Sequence, residues 1–127
     1  HTIVLIGSID HGKRLVNVIP SCELVHSKMS AKKRQHIIAE FRKGNLPCIV
    51  GTSAIEEGFD APIANTIIMA GCGRSNRKTI QSTGRVLRPH IGKLCGIIHD
   101  FYDRCHPMLQ QQSIQRAKIY KNLDYFQ

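Results

Sequence analysis

Thr2-Ile3-Val4-Leu5-Ile6-Gly7 is an apolar run without alternation, and such a run reads as a strand buried on both faces of a parallel sheet. The rest of the chain repeats this theme. Residues 10–19 read as a helix stopped by Pro20, and residues 22–26 as a short second strand. Ser30 is placed to cap the next helix, whose Ile37, Ile38 and Phe41 make an apolar face and whose end is marked by Lys43-Gly44. Apolar runs at 48–52, 66–70 and 94–100 supply a third, fourth and fifth strand. Strands alternating with helices predict an α/β domain of stacked layers around a mainly parallel sheet of about five or six strands.

The segment 104–127 turns Gln-rich and basic, and predicts a C-terminal helical extension packing Ile114, Ile119 and Leu123 on the domain. Neither a repeat nor a linker interrupts the chain, so residues 1–127 are expected to form one domain.

Composition narrows the partners. The 127 residues are 42% hydrophobic and carry 18 basic against 9 acidic side chains, a formal charge of +9, which favours an anionic partner and nucleic acid first. A membrane is not expected, because no apolar run approaches the roughly 20 residues that span a bilayer, and the short first run does not make a signal peptide. The five cysteines (Cys22, Cys48, Cys72, Cys95, Cys105) lack zinc-ligand spacing. They are expected as reduced thiols inside a cell, with Cys48 and Cys95 as small core residues, and no metal site is expected.

Ligands of open α/β sheets gather beyond the carboxyl ends of the strands. The residues there are Ser8 after the first strand, Ser27 and Lys28 after the second, and Thr52 and Ser53 after the third. Hydroxyls beside free backbone amides suit phosphate oxygens and position a nucleic-acid strand without reading its sequence. Helix capping is the competing role, and Ser53 with Glu56 fits a capping box. In Ile49-Val50-Gly51-Thr52-Ser53-Ala54-Ile55-Glu56-Glu57-Gly58-Phe59-Asp60-Ala61-Pro62, Gly58 breaks a short helix. Asp60 then falls on a turn fixed by Pro62, expected at the same sheet edge as Thr52.

The run Gln81-Ser82-Thr83-Gly84-Arg85-Val86-Leu87-Arg88 places Gln81, Arg85 and Arg88 on one helix face. Guanidinium forks match phosphate oxygens better than a lysine point charge does. A solvated basic face is the plainer alternative. The chain has no Gly-x-x-x-x-Gly-Lys-Ser/Thr phosphate loop and no acidic pair of the magnesium-binding kind, so hydrolysis of a nucleotide by this chain alone is not expected.

Taken in order, these segments resemble the second, C-terminal RecA-like domain of superfamily 2 helicases, in the XPB- and UvsW-like branch. Residues 3–8 resemble motif IV, residues 49–62 motif V and residues 81–88 motif VI, with 26–34 and 41–44 between the first two. The resemblance implies a three-layer RecA-like fold and a function as the second motor domain of an ATP-dependent DNA helicase or translocase. It implies ATP with Mg2+ held mainly by an N-terminal RecA-like domain outside this chain. Arg88 would be the arginine finger with Arg85 beside it. Gln81, Gly58 and Asp60 would lie at the nucleotide, and Ser8, Ser27, Lys28, Thr52 and Ser53 at the nucleic-acid backbone.

The implied partners are single-stranded or branched DNA ahead of RNA, and the N-terminal domain itself. The implied location is intracellular, in cytoplasm or nucleoid, or in the infected host if the protein is phage-encoded. Gly7 and Gly51 depart from the bulkier residues common at their positions, and His99-Asp100 is read as mainly structural. A stand-alone nucleic-acid-binding or adaptor domain that kept the fold without the catalysis is the alternative.

Overall fold

The computed structural model of the protein describes residues 1–52, 55, 60–71, 84 and 91–122. Its elements follow the expected alternation: β1 (Thr2–Leu5), α1 (Ile9–Val16), β2 (Cys22–Val25), α2 (Ala31–Arg42), β3 (Cys48–Gly51), β4 (Thr66–Met69), β5 (Ile97–Asp100) and α3 (Pro107–Asn122). The five strands form one sheet in the order β2-β3-β1-β4-β5, and every ladder is parallel. All five carboxyl ends therefore point to one edge.

Both faces of the sheet are covered, which is why the strands do not alternate in sequence. Ile3, Leu5, Ile49, Val25 and Ile67 join Ile37 and Phe41 of α2 in one core cluster. Val4, Ile6, Cys48 and Val50 pack with Leu15, Val16 and Ile19 in the other, on the α1 side. Phe41, Ile3 and Ile49 are fully buried, and each such side chain contributes roughly 1.5–3 kcal/mol by leaving water.

Helix α2 begins and ends where its sequence says. The Ser30 side chain accepts a hydrogen bond from the Lys33 N–H at 3.3 Å, and the chain leaves the helix through Lys43 and Gly44, with the Gly44 N–H donating to the Phe41 carbonyl. Helix α1 starts one residue earlier than expected and stops at Val16, because the Ser8 side chain caps it by accepting from the His11 N–H.

Three expectations need correction. The fifth strand begins at Ile97 rather than at residue 94, and Leu94 is fully exposed. Cys95 is exposed instead of packed in the core. Ile114 is likewise exposed, because α3 docks through Ser113, Arg116 and Tyr120. The docking is polar. Arg116 Nε donates to Asp100 Oδ2 at 2.6 Å, Tyr120 donates its hydroxyl to the same oxygen at 2.9 Å, and an Arg116 terminal nitrogen donates to the Phe101 carbonyl at 3.1 Å. Asp100 thus acts as a structural anchor at the end of β5.

Candidate nucleic-acid interface

The connection from β1 runs outward to β2, whereas β4 continues to β5 on the other side, so the sheet's topological switch lies between β1 and β4. Here two glycines face each other. A Cβ on Gly7 would lie 2.7 Å from the Gly71 carbonyl oxygen, and one on Gly71 would lie 3.2 Å from the Gly7 nitrogen. Only glycines let the two backbones come this close. That explains the first departure noted in the sequence. The second has a similar cause: a Cβ on Gly51 would overlap the Ile55 side chain, which is buried there.

Beyond the carboxyl ends of β1, β2 and β3, on this same edge, lie Ser8, Ser27, Lys28 and Thr52. Ser8, Ser27 and Lys28 are exposed and Thr52 is partly so. Thr52 follows its strand directly and the other three lie within three residues of theirs, and the Thr52 N–H bonds to the Val25 carbonyl at 3.3 Å, holding the end of β3 against that of β2. The capped N-termini of α1 and α2 open on the same edge, and their unsatisfied amides carry partial positive charge. Among the described residues nothing pairs with Lys28. Among the described residues, the edge therefore offers hydroxyls, amides and, in Lys28, an uncommitted cation to an anion.

Ser8 has two roles available. Its oxygen already accepts from His11, while a hydroxyl can still donate its proton outward. Beside Ser27, His26 Nδ1 is buried without a hydrogen-bond partner among the described residues, and the sequence marked it only as the last residue of the 22–26 strand and the first of the 26–34 stretch.

Asp60 lies on the segment between β3 and β4. It is exposed as expected, and its backbone carbonyl accepts from Arg42 Nε, a side chain of the last turn of α2, at 2.8 Å. Arg42 there shares a cleft with Asn65 and Lys93 beside the amino end of β4. Lys93 Nζ donates to the Ala64 carbonyl at 2.5 Å, and burial lowers its pKa. Nearby, Glu40 is held below its ordinary pKa by hydrogen bonds from Asn45 and Lys43. The remaining candidates, Arg85, Arg88, Gln81, Gly58 and Ser53, lie outside the described residues.

Among the described residues no group of three His, Cys, Asp or Glu could hold a metal ion, and no helix is long and apolar enough to cross a membrane.

Known proteins with this pattern agree among themselves. Residues 3–90 match the family model described as the helicase conserved C-terminal domain. The transcription-repair-coupling factor of Helicobacter pylori is 33% identical over 124 residues, which are 94% of this chain and 12% of that protein. The ATP-dependent DNA helicase RecG of Treponema pallidum is 34% identical over 77 residues, 60% of this chain and 11% of its own. The chain thus spans about a tenth of the length of these relatives. In three dimensions the crystal structure of T4 UvsW superposes with a TM-score of 0.71 at 18% identity, over 95% of this chain and 28% of that one.

Proposed function

The chain belongs to the family of the helicase conserved C-terminal domain, the second RecA-like domain of superfamily 2 helicases, and from that premise we propose that it is the second motor domain of an ATP-dependent DNA helicase or translocase. One observation carries the reading. Ser8, Ser27, Lys28 and Thr52 converge on the carboxyl edge of an all-parallel sheet, where hydroxyls and amides can hold successive phosphates of a nucleic-acid strand.

In this reading the edge grips the sugar-phosphate backbone, with Ser53 beside Thr52, and the grip is indifferent to base sequence. Arg88 reaches toward the γ-phosphate of ATP bound by the N-terminal RecA-like domain, and Arg85 assists it. Gln81, Gly58 and Asp60 line the nucleotide side of the cleft between the two domains. Mg2+ accompanies ATP on the other domain, where it neutralises phosphate charge. Closure of the cleft on ATP and its reopening move the two grips relative to each other, which advances the protein along DNA inside the cell. Relatives named as a DNA helicase and as a transcription-repair-coupling factor favour DNA over RNA.

The test uses the full-length protein. Arg88→Ala should lower DNA-stimulated ATP turnover by roughly 10³- to 10⁵-fold, the range measured for arginine fingers, while oligonucleotide affinity stays within about twofold because no phosphate contact of the edge is removed. Normal turnover in that variant would refute the finger assignment. A full-length protein that binds DNA and hydrolyses no ATP would favour the stand-alone binding domain.

A further inference from the structure

Cys22 and Cys48 open the neighbouring strands β2 and β3 and are direct register partners. Their sulfurs lie 3.4 Å apart, with the Cys22 thiol donating toward Cys48 Sγ. Adjacent strands run about 4.8 Å apart, and disulfides span Cα separations of roughly 4.4–6.8 Å. The backbone is therefore already at bonding distance. Cys48 is buried, whereas Cys22 is half-buried and lines an open groove of about 490 Å³ together with Val16, Ile19, Pro20 and Leu46. The other free cysteines among the described residues, Cys95 and Cys105, are exposed.

We propose that Cys22 and Cys48 form a reversible dithiol–disulfide site whose reaction partner is a low-molecular-weight disulfide entering by this groove. The steps balance as two exchanges. Cys22 Sγ bonds to one sulfur of the reagent, whose S–S bond breaks, and the departing thiolate takes up the Cys22 proton. Cys48 Sγ then attacks Cys22 Sγ, the mixed disulfide breaks, and the second departing thiolate takes up the Cys48 proton. Two protein thiols are oxidised and one reagent disulfide is reduced to two thiols.

Cys22 is the sulfur that the groove reaches, and the hydrogen bond it donates holds Cys48 below the ordinary thiol pKa. The sulfur with thiolate character is then the one that resolves the mixed disulfide. The site lies at the amino edge of the sheet, away from the nucleic-acid edge and independent of its function.

Residue-level mapping decides the matter. The full-length protein is incubated with oxidised glutathione, remaining thiols are alkylated, and peptides are read by mass spectrometry with and without dithiothreitol. The expected result is a peptide pair joined through Cys22 and Cys48, loss of alkylation at both positions, and recovery of both on reduction. With Cys22→Ala, Cys48 should again be fully alkylated. Independent alkylation of both cysteines in the wild type, a stable glutathione adduct on Cys22 beside an alkylated Cys48, or a link from Cys48 to another cysteine would overturn the proposal.

Discussion

The two edges of the sheet share the same strands but treat cations differently. At the amino edge Lys93 is bound to the Ala64 carbonyl and Arg42 to the Asp60 carbonyl. At the carboxyl edge Lys28 meets no partner among the described residues, and hydroxyls and helix N-termini surround it. A net charge of +9 thus says little about where an anion binds. What matters is whether the chain's own carbonyls have already taken the cation's donors.

The sharpest way to probe this contrast is at a carboxyl end that is closed. Asp100 ends β5, yet Arg116 and Tyr120 occupy its Oδ2. The Arg116 and Asp100 side chains are only 7% and 17% exposed, so Arg116→Ala leaves a nearly buried carboxylate without its cation, and stability should fall by about 3 kcal/mol. Urea unfolding measures the change, and an unchanged midpoint would mean that α3 is not anchored through this pair. Affinity for DNA in the folded fraction should not move.

Next in size is the open end. Lys28→Ala should weaken binding to an oligonucleotide about tenfold, the value of one charge-assisted hydrogen bond, and should lower the slope of log affinity against log salt by about one. Binding titrations at several salt concentrations read both quantities. A loss of affinity without a change in slope would show that Lys28 acts on the fold and not on a phosphate.

The smallest effect is expected at the amino edge. Lys93→Ala removes one unit of positive charge just as Lys28→Ala does, but it should leave the salt slope unchanged and cost about 1 kcal/mol of stability through the stranded carbonyls. If both substitutions changed the salt slope equally, bulk charge would govern binding, and the contrast between the edges would fail.

Much of the fold was legible because burial on both faces leaves a plain mark. β1, β2, β3 and β4 were read to within a residue or two, and α2 to its cap. The misses share a physical cause. Helix α3 docks through Ser113, Arg116 and Tyr120, so its apolar residues do not mark its inner face. Leu94 and Cys95 are apolar but precede the strand, and composition alone cannot separate an exposed approach from a paired one. At the candidate site, Ser8, Ser27, Lys28 and Thr52 could be placed because a parallel sheet delivers every strand end to one edge. The bond that holds the Asp60 turn could not, since it comes from Arg42, an exposed residue 18 positions away whose side chain bonds a backbone oxygen. The Gly7–Gly71 approach escaped notice for a related reason: two distant glycines give no sign that they meet.

The central place of β1 has a consequence for biogenesis. It is the earliest strand of this chain to leave the ribosome, but its neighbours begin at Cys48 and Thr66, 48 − 2 = 46 and 66 − 2 = 64 residues later than Thr2. Until β3 has emerged this apolar strand has two open edges, and until β4 has emerged it still has one. Such late, non-local pairing slows folding and exposes nascent chains to aggregation, so the window between the synthesis of β1 and β4 is when this domain most needs a chaperone.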